Sequence, residues 1–143
     1  ACVAVGRGAL GSGEPVVQVH TPLAGTVFLR EEAFVRTAAL AQYASELRAR
    51  GESFLVGPSA GGWHAAYGVP LQGRHAWFLA GFIRPWEEDA VVAQFERLSA
   101  VAVCPGSMNA WDRLHLPPAV LSRVRPMFTE AGALADCALW RRR

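Results

Sequence analysis

The sequence predicts a single α+β domain with a central antiparallel sheet flanked by helices. The chain has 143 residues, a length typical of one domain. Because 52% of them are hydrophobic and only 18% are charged, a disordered chain is excluded. Short β-like runs joined by tight turns lie between helical segments and do not form strict βαβ repeats. The chain begins at Ala1 without a Met, which is compatible with processing or with excision from a longer protein.

The first 30 residues predict short strands around a glycine-rich connector. Residues 1–5 are apolar, and residues 6–13 are rich in glycine. The β-branched run Val16-Val17-Gln18-Val19 predicts a strand within residues 14–21. Residues 26–29 predict another strand.

Residues 31–50 predict the clearest helix. Glu31 and Glu32 lie in its first turn and Arg50 in its last, the arrangement that the helix dipole favours. Gly51 follows as a C-terminal stop. Apolar residues recur at helical spacing, so we expect this helix to pack on a sheet.

The middle of the chain predicts an aromatic hairpin. Residues 53–56 form a short strand, and residues 57–62 form a turn of small residues. Residues 63–69 and residues 74–83 predict two antiparallel strands, joined by a Pro/Gly turn at residues 70–73.

The C-terminal part predicts mostly helices. We expect helices over residues 86–100, residues 117–126 and residues 129–140, while residues 101–104 extend the first of these or form a strand. Acidic residues load the start of the helix over 86–100. Its predicted buried stripe is Val91, Val92, Phe95 and Leu98.

The aromatic hairpin predicts a pocket for a small apolar or aromatic ligand. Small residues interleaved with the aromatic ones leave space on a sheet, and ligand pockets are mostly apolar with a few polar groups. Ordinary packing of aromatic residues in a core is the alternative. The predicted ligand-binding residues are Trp63, Tyr67, Trp77, His75 and Phe82.

The run Gly57-Pro58-Ser59-Ala60-Gly61 matches the G-x-S-x-G motif of a nucleophile elbow. Ser59 would then be a nucleophile, with His64, His75 or His115 as the base and Asp112 or Asp136 behind it. Against this hypothesis, the predicted strand over residues 63–69 stands where the elbow needs a helix. The chain is also too short for a full hydrolase sheet. A tight glycine turn is the alternative interpretation.

Three cysteines, Cys2, Cys104 and Cys137, are too sparse for a disulfide scaffold and indicate a reducing cytoplasm. Cys104 is a candidate reactive thiol at a turn, or else a buried inert one. No CxxC motif and no zinc-type spacing with histidine occurs, so we expect no metal. Because no complete dinucleotide or P-loop motif occurs, we expect no cofactor.

The charge and hydropathy patterns limit the classes of partner that we expect this chain to bind. The net charge of +2 and the scattered arginines argue against direct contact with nucleic acid. No apolar run reaches the roughly 18 residues of a membrane span, and no signal peptide is recognisable. The sequence leaves open whether the chain forms a homodimer.

Residues 50–83 resemble the central hairpin of GAF-type sensory domains, most of all the PocR-type variety. The resemblance is carried by Gly51, Ala60-Gly61, Val69-Pro70-Leu71, Gly73 and Gly81, and it covers about a quarter of the chain. It implies a GAF/PAS-like fold with a ligand between the sheet and the helices. It also implies a ligand-sensing role in a bacterial signalling or transcription regulator, without catalysis. The alternatives are a small hydrolase that uses Ser59, or a dimerisation or interaction module.

Overall fold

Two β-sheets and four α-helices make up the described part of the chain. The computed structural model describes residues 3–9, 15–58, 61–75, 78, 80–104 and 110–143. The α+β class predicted from the sequence is confirmed. Within the described ranges, no helix is both long enough and apolar enough to cross a membrane.

The smaller sheet is antiparallel and three-stranded. It contains strands β1 (Val3–Ala9), β2 (Pro15–Thr21) and β3 (Gly25–Arg30) in that spatial order. Strand β1 extends to Ala9, so the connector predicted from residue 6 begins too early. Strand β2 buries Val16, Val17 and Val19, and it is in contact with helix α1 (Glu31–Ala49).

The larger sheet has four strands in the order β4-β5-β7-β6. Strand β4 (Phe54–Gly57) is parallel to β5 (Ala100–Val103), and β7 (Cys137–Arg142) pairs antiparallel with both β5 and β6 (Phe128–Leu134). The predicted purely antiparallel central sheet is therefore wrong. The chain crosses over between β4 and β5, and this long connection lets the two strands run in the same direction.

Helices cover both faces of the larger sheet. Side chains alternate between faces, so Phe54 and Val56 of β4 pack with α1, whereas Leu55 belongs to the opposite core. Helix α2 (Gly61–Tyr67) places Trp63 on the α1 side. The opposite face carries two further helices, α3 (Glu88–Glu96) and α4 (Pro118–Val124).

The predicted aromatic hairpin is wrong. Residues 61–67 form helix α2, and none of the described residues between 74 and 83 lies in a strand. Trp63 packs on the α1 face, but Phe78 is buried in the core on the α3 face, so the chain changes faces between them. The backbone N–H of Phe78 donates to the Pro58 carbonyl at 2.8 Å, which fixes this passage beside the end of β4.

The predicted helix over residues 129–140 is also wrong, because this segment is the β6–β7 hairpin. Strand β7 lies between two other strands and buries Cys137, Leu139 and Trp140. Pairing and burial on both faces override the helix propensity of its Ala and Leu residues. The turn gives no sequence signal, since Ala135, with a φ of 52°, occupies a position where Gly or Asn is usual.

The helices predicted over residues 31–50, 86–100 and 117–126 are present as α1, α3 and α4. Helix α1 matches the predicted range to within one residue at its end. The segment predicted as one helix over residues 86–100 divides into a 3₁₀ turn, Pro85–Glu87, and α3. All four residues of its predicted stripe are buried.

Candidate functional site

A cleft of about 270 Å³ lies between α1 and the end of the larger sheet. It opens beside the carboxyl end of β4, where β5 ends as well, and the first turn of α2 closes one side of it. Ligand sites in sheets with parallel strands commonly lie outside the carboxyl ends of those strands. The described residues that line it are Arg36, Thr37, Leu40, Val56, Gly57, Pro58, Gly62, Trp63 and Cys104.

Trp63 forms the aromatic wall of this cleft. Its ring stacks on that of Tyr67, with centroids 5.4 Å apart and planes 28° apart. It also meets the edge of Phe54 at 6.2 Å. The two stacked rings are four residues apart on α2, which is the spacing at which helical side chains meet. Among the described residues, no hydrogen-bond partner reaches the buried indole Nε1 of Trp63.

His64 holds α2 against the edge strand β4. Its Nε2 lies 3.0 Å from the backbone nitrogen of Val56, which donates to it, and its Nδ1 lies 3.1 Å from the carbonyl oxygen of Val69. The imidazole is buried, and this desolvation lowers its pKa below the ordinary value. Through these two hydrogen bonds to backbone groups, His64 ties α2 and Val69 to β4.

A disulfide joins Cys104 to Cys137 at the same end of the sheet. Cys104 follows β5 and Cys137 begins β7, and these two strands are neighbours. The prediction of a free Cys104, either reactive or inert, is wrong for the disulfide-bonded form. Cys104 is also one of the residues that line the cleft.

The predicted ligand residues do not come together as one described site. Trp63 and Tyr67 are stacked beside the cleft. His75 is buried near α3, where its Nε2 lies 3.6 Å from Oε1 of Glu87. Phe82 is 56% exposed. Trp77 lies outside the described residues.

The sequence around Ser59 has the backbone context of a nucleophile elbow. Gly57 ends strand β4 and Gly61 begins helix α2, so the expected β-like run after the motif is wrong. Ser59 itself lies outside the described residues. The described residues lining the cleft include no histidine.

A second, open groove of about 420 Å³ lies on the α3 side of the molecule. Its lining includes Trp111, Asp112 and His115, together with Ile83 and Pro117. The polar members Asp112 and His115 are exposed. In the described ranges, no group of three or more His, Cys, Asp or Glu residues is placed to hold a metal ion.

Sequence reasoning missed the contribution of α1 to the cleft. Arg36 and Leu40 are four residues apart on α1, and both line it. An arginine in line with buried apolar residues of a helix is a signal that points to such a wall. No protein-family model, curated protein or solved structure matches this chain.

Proposed function

We propose that this chain is a small-molecule-binding sensory domain of a bacterial cytoplasmic regulator, and that its ligand occupies the cleft between α1 and the larger sheet. The observation that carries the proposal is a cleft of about 270 Å³ with Trp63 on its wall, beside the ends of two parallel strands. Leu40, Val56 and Trp63 supply apolar side chains to the lining, as is usual for small-molecule sites.

The cleft volume sets the size of the ligand. A cavity of roughly 150 Å³ accepts benzene. In proportion, about 270 Å³ accommodates a molecule of about ten non-hydrogen atoms. A single aromatic ring with one substituent has this size, which agrees with the apolar or aromatic ligand expected from the sequence.

The resemblance to GAF-type domains supports the regulatory part of this proposal. The described residues between 61 and 83 do not form the paired strands that the resemblance implies. The ligand site therefore rests on the cleft, and the sensory role rests on the sequence resemblance.

Filling the cleft tests the proposal. Thr37→Trp places an indole in the cleft, whereas Gln42→Trp places one on the exposed side of the same helix. Toluene at about ten times its Kd is expected to stabilise the wild type and Gln42→Trp by about 1.4 kcal/mol in thermal unfolding. Thr37→Trp should show no such gain. Equal stabilisation of all three proteins would overturn the assignment of this cleft.

A hydrolase is the second candidate, favoured by the strand that ends at Gly57 and the helix that begins at Gly61, on either side of the motif. A fluorophosphonate probe should label the wild type and spare Ser59→Ala if Ser59 is a nucleophile. Absence of labelling in the native protein retires this candidate.

An interaction module is favoured by apolar side chains at the surface. Trp86 is 80% exposed, and Phe28 and Val35 are 61% and 55% exposed. Sedimentation of a dimer that Val35→Asp or Trp86→Ala dissociates would support this function, and a monomer at every concentration would contradict it.

A further inference from the structure

A carboxylate of the protein itself pairs with the one charged residue among the described residues that line the cleft. Nε of Arg36 donates to Oδ1 of Asp136 at 2.5 Å, and Nη2 donates to Oδ2 of the same carboxylate. This is the two-pronged geometry that guanidinium groups adopt with carboxylates. Asp136 belongs to the β6–β7 turn, so the contact joins α1 to a segment one hundred residues away.

Arg36 is the one charged side chain among the described residues that line the cleft. Thr37 adds a hydroxyl beside it, and the other side chains around the cavity are apolar. No described residue accepts a hydrogen bond from Nη1 of Arg36. The described lining thus combines several apolar side chains with one cationic residue, a combination that is complementary to a partly apolar molecule bearing a single negative charge.

We propose, building on the function proposed above, that the ligand is a small aromatic or aliphatic monocarboxylate and that Asp136 is its internal competitor. In the ligand-free protein Asp136 pairs with Arg36. On binding, the ligand carboxylate takes over the Nε and Nη2 donors of Arg36, while its apolar part lies against Leu40 and Trp63.

The exchange is balanced because one carboxylate replaces another on the same guanidinium. The Asp136 side chain is 46% exposed, so on release it turns into water and regains its hydration. Exposed ion pairs of this kind contribute little to stability, and the exchange therefore has a small cost. The burial of the apolar part of the ligand then drives binding.

Two ligands of nearly equal shape separate charge recognition from filling of the cleft. Benzoate carries the carboxylate, and benzamide is its neutral analogue. We expect calorimetric titration to give a Kd for benzoate that is lower than that for benzamide by about tenfold.

Three variants test the roles of the ion pair. Arg36→Gln should weaken benzoate binding about tenfold and leave benzamide binding unchanged. Asp136→Asn removes the competitor and should tighten benzoate binding by about threefold or more, with no effect on benzamide. Arg123→Gln on α4, which breaks the exposed pair with Asp89 of α3, should change neither Kd. The opposite signs at positions 36 and 136 exclude general destabilisation, which would weaken binding in both variants.

The possible results distinguish a failure of the carboxylate preference from a failure of the proposed ligand-binding function. If benzamide binds as tightly as benzoate, or if Arg36→Gln leaves both affinities unchanged, the carboxylate preference is overturned while the ligand-binding cleft stands. If Asp136→Asn weakens benzoate binding, Asp136 is not a competitor. If benzoate, benzamide and toluene all fail to bind to both the wild type and Asp136→Asn, the proposed function and the carboxylate preference are both overturned.

Discussion

The backbone N–H of Val56 donates a hydrogen bond to Nε2 of His64 at 3.0 Å. Val56 belongs to β4, which is an edge strand of the larger sheet, so this N–H has no neighbouring strand to pair with. Because Nε2 accepts, the ring proton is on Nδ1 and is directed to the Val69 carbonyl. The imidazole thus accepts the hydrogen bond that a neighbouring strand would otherwise accept from Val56, at the edge that borders the cleft.

We predict that His64 makes the fold less stable in mild acid. Burial lowers the pKa of His64 in the folded protein, so the unfolded chain binds the extra proton more readily. The free energy of unfolding should therefore have its full value above about pH 6.5 and should fall as the pH decreases below that value. Urea unfolding between pH 5 and 7.5 measures the slope.

Two histidine variants test whether His64 causes this dependence on pH. His64→Phe should lower the free energy of unfolding at pH 7 by about 1–3 kcal/mol, because Val56 and Val69 lose their partner. It should also remove most of the dependence on pH. His20→Gln alters an exposed histidine of β2 and should leave the slope unchanged. An unchanged slope in His64→Phe would contradict the assignment.

The disulfide is predicted to be a main contributor to stability. It closes a loop with a sequence separation of 33 residues, and the loss of loop entropy in the unfolded chain corresponds to about 3–4 kcal/mol. Replacing Cys104 and Cys137 together by Ser should lower the free energy of unfolding by about this amount, and dithiothreitol should do the same to the wild type. Cys2→Ser serves as the control and should behave as the wild type in both conditions.

Counting thiols also bears on where the protein resides. A formed disulfide is typical of oxidising compartments, whereas the sequence predicts a reducing cytoplasm. In protein alkylated during cell lysis and then unfolded, the oxidised form has only the Cys2 thiol modified. Modification of Cys104 and Cys137 as well would favour the cytoplasm and show that the bond forms after lysis.

The Gln94 side chain is predicted to stabilise the irregular segment near His75 by pairing with backbone groups that no strand pairs with. Its side-chain Nε2 donates to the His75 carbonyl at 2.7 Å, and the His75 N–H donates to its Oε1 at 3.3 Å. Since Gln94 is buried, Gln94→Leu leaves two backbone groups unpaired and should cost about 2–4 kcal/mol of unfolding free energy. Gln42→Leu on the exposed side of α1 should change it by less than about 0.5 kcal/mol. Similar effects of the two changes would contradict this role.

Two glycines at the cleft are predicted to respond to alanine with opposite signs. A Cβ at Gly57 would lie 2.6 Å from Cδ2 of the fully buried Leu114, so Gly57→Ala should cost about 1–3 kcal/mol. A Cβ at Gly62 would meet nothing within 4 Å, and this residue lies in helix α2. Gly62→Ala should therefore stabilise the protein by about 0.5–1 kcal/mol. Thermal unfolding of both variants checks the pair, and a stabilising Gly57→Ala would contradict the packing described at the end of β4.

The elements that the sequence predicts correctly are those with local signals. Helix α1 has acidic residues at its start, an apolar stripe and a glycine after its end. The sequence predicts a strand over residues 63–69 because aromatic residues favour strands, although the spacing of Trp63 and Tyr67 equally fits one face of a helix. Strand β7 depends on pairing with β5 and β6, which no local pattern encodes.

The candidate site could be predicted only in part for the same reason. Trp63 was identified as a ligand residue from its own aromatic character. Arg36 was missed, because its position at the cleft depends on how α1 packs and its pairing with Asp136 spans one hundred residues. Long-range contacts of this kind follow from the assembled fold.

The most direct test of the ligand-binding cleft is a toluene titration followed through the methyl NMR signals of the protein. We predict saturable shifts for the methyl groups of Leu40 and Val56, which line the cleft. The methyl groups of Ile83 and Leu121, in the second groove, should not shift. Shifts confined to Ile83 and Leu121, or no saturable shifts at all, would contradict the account.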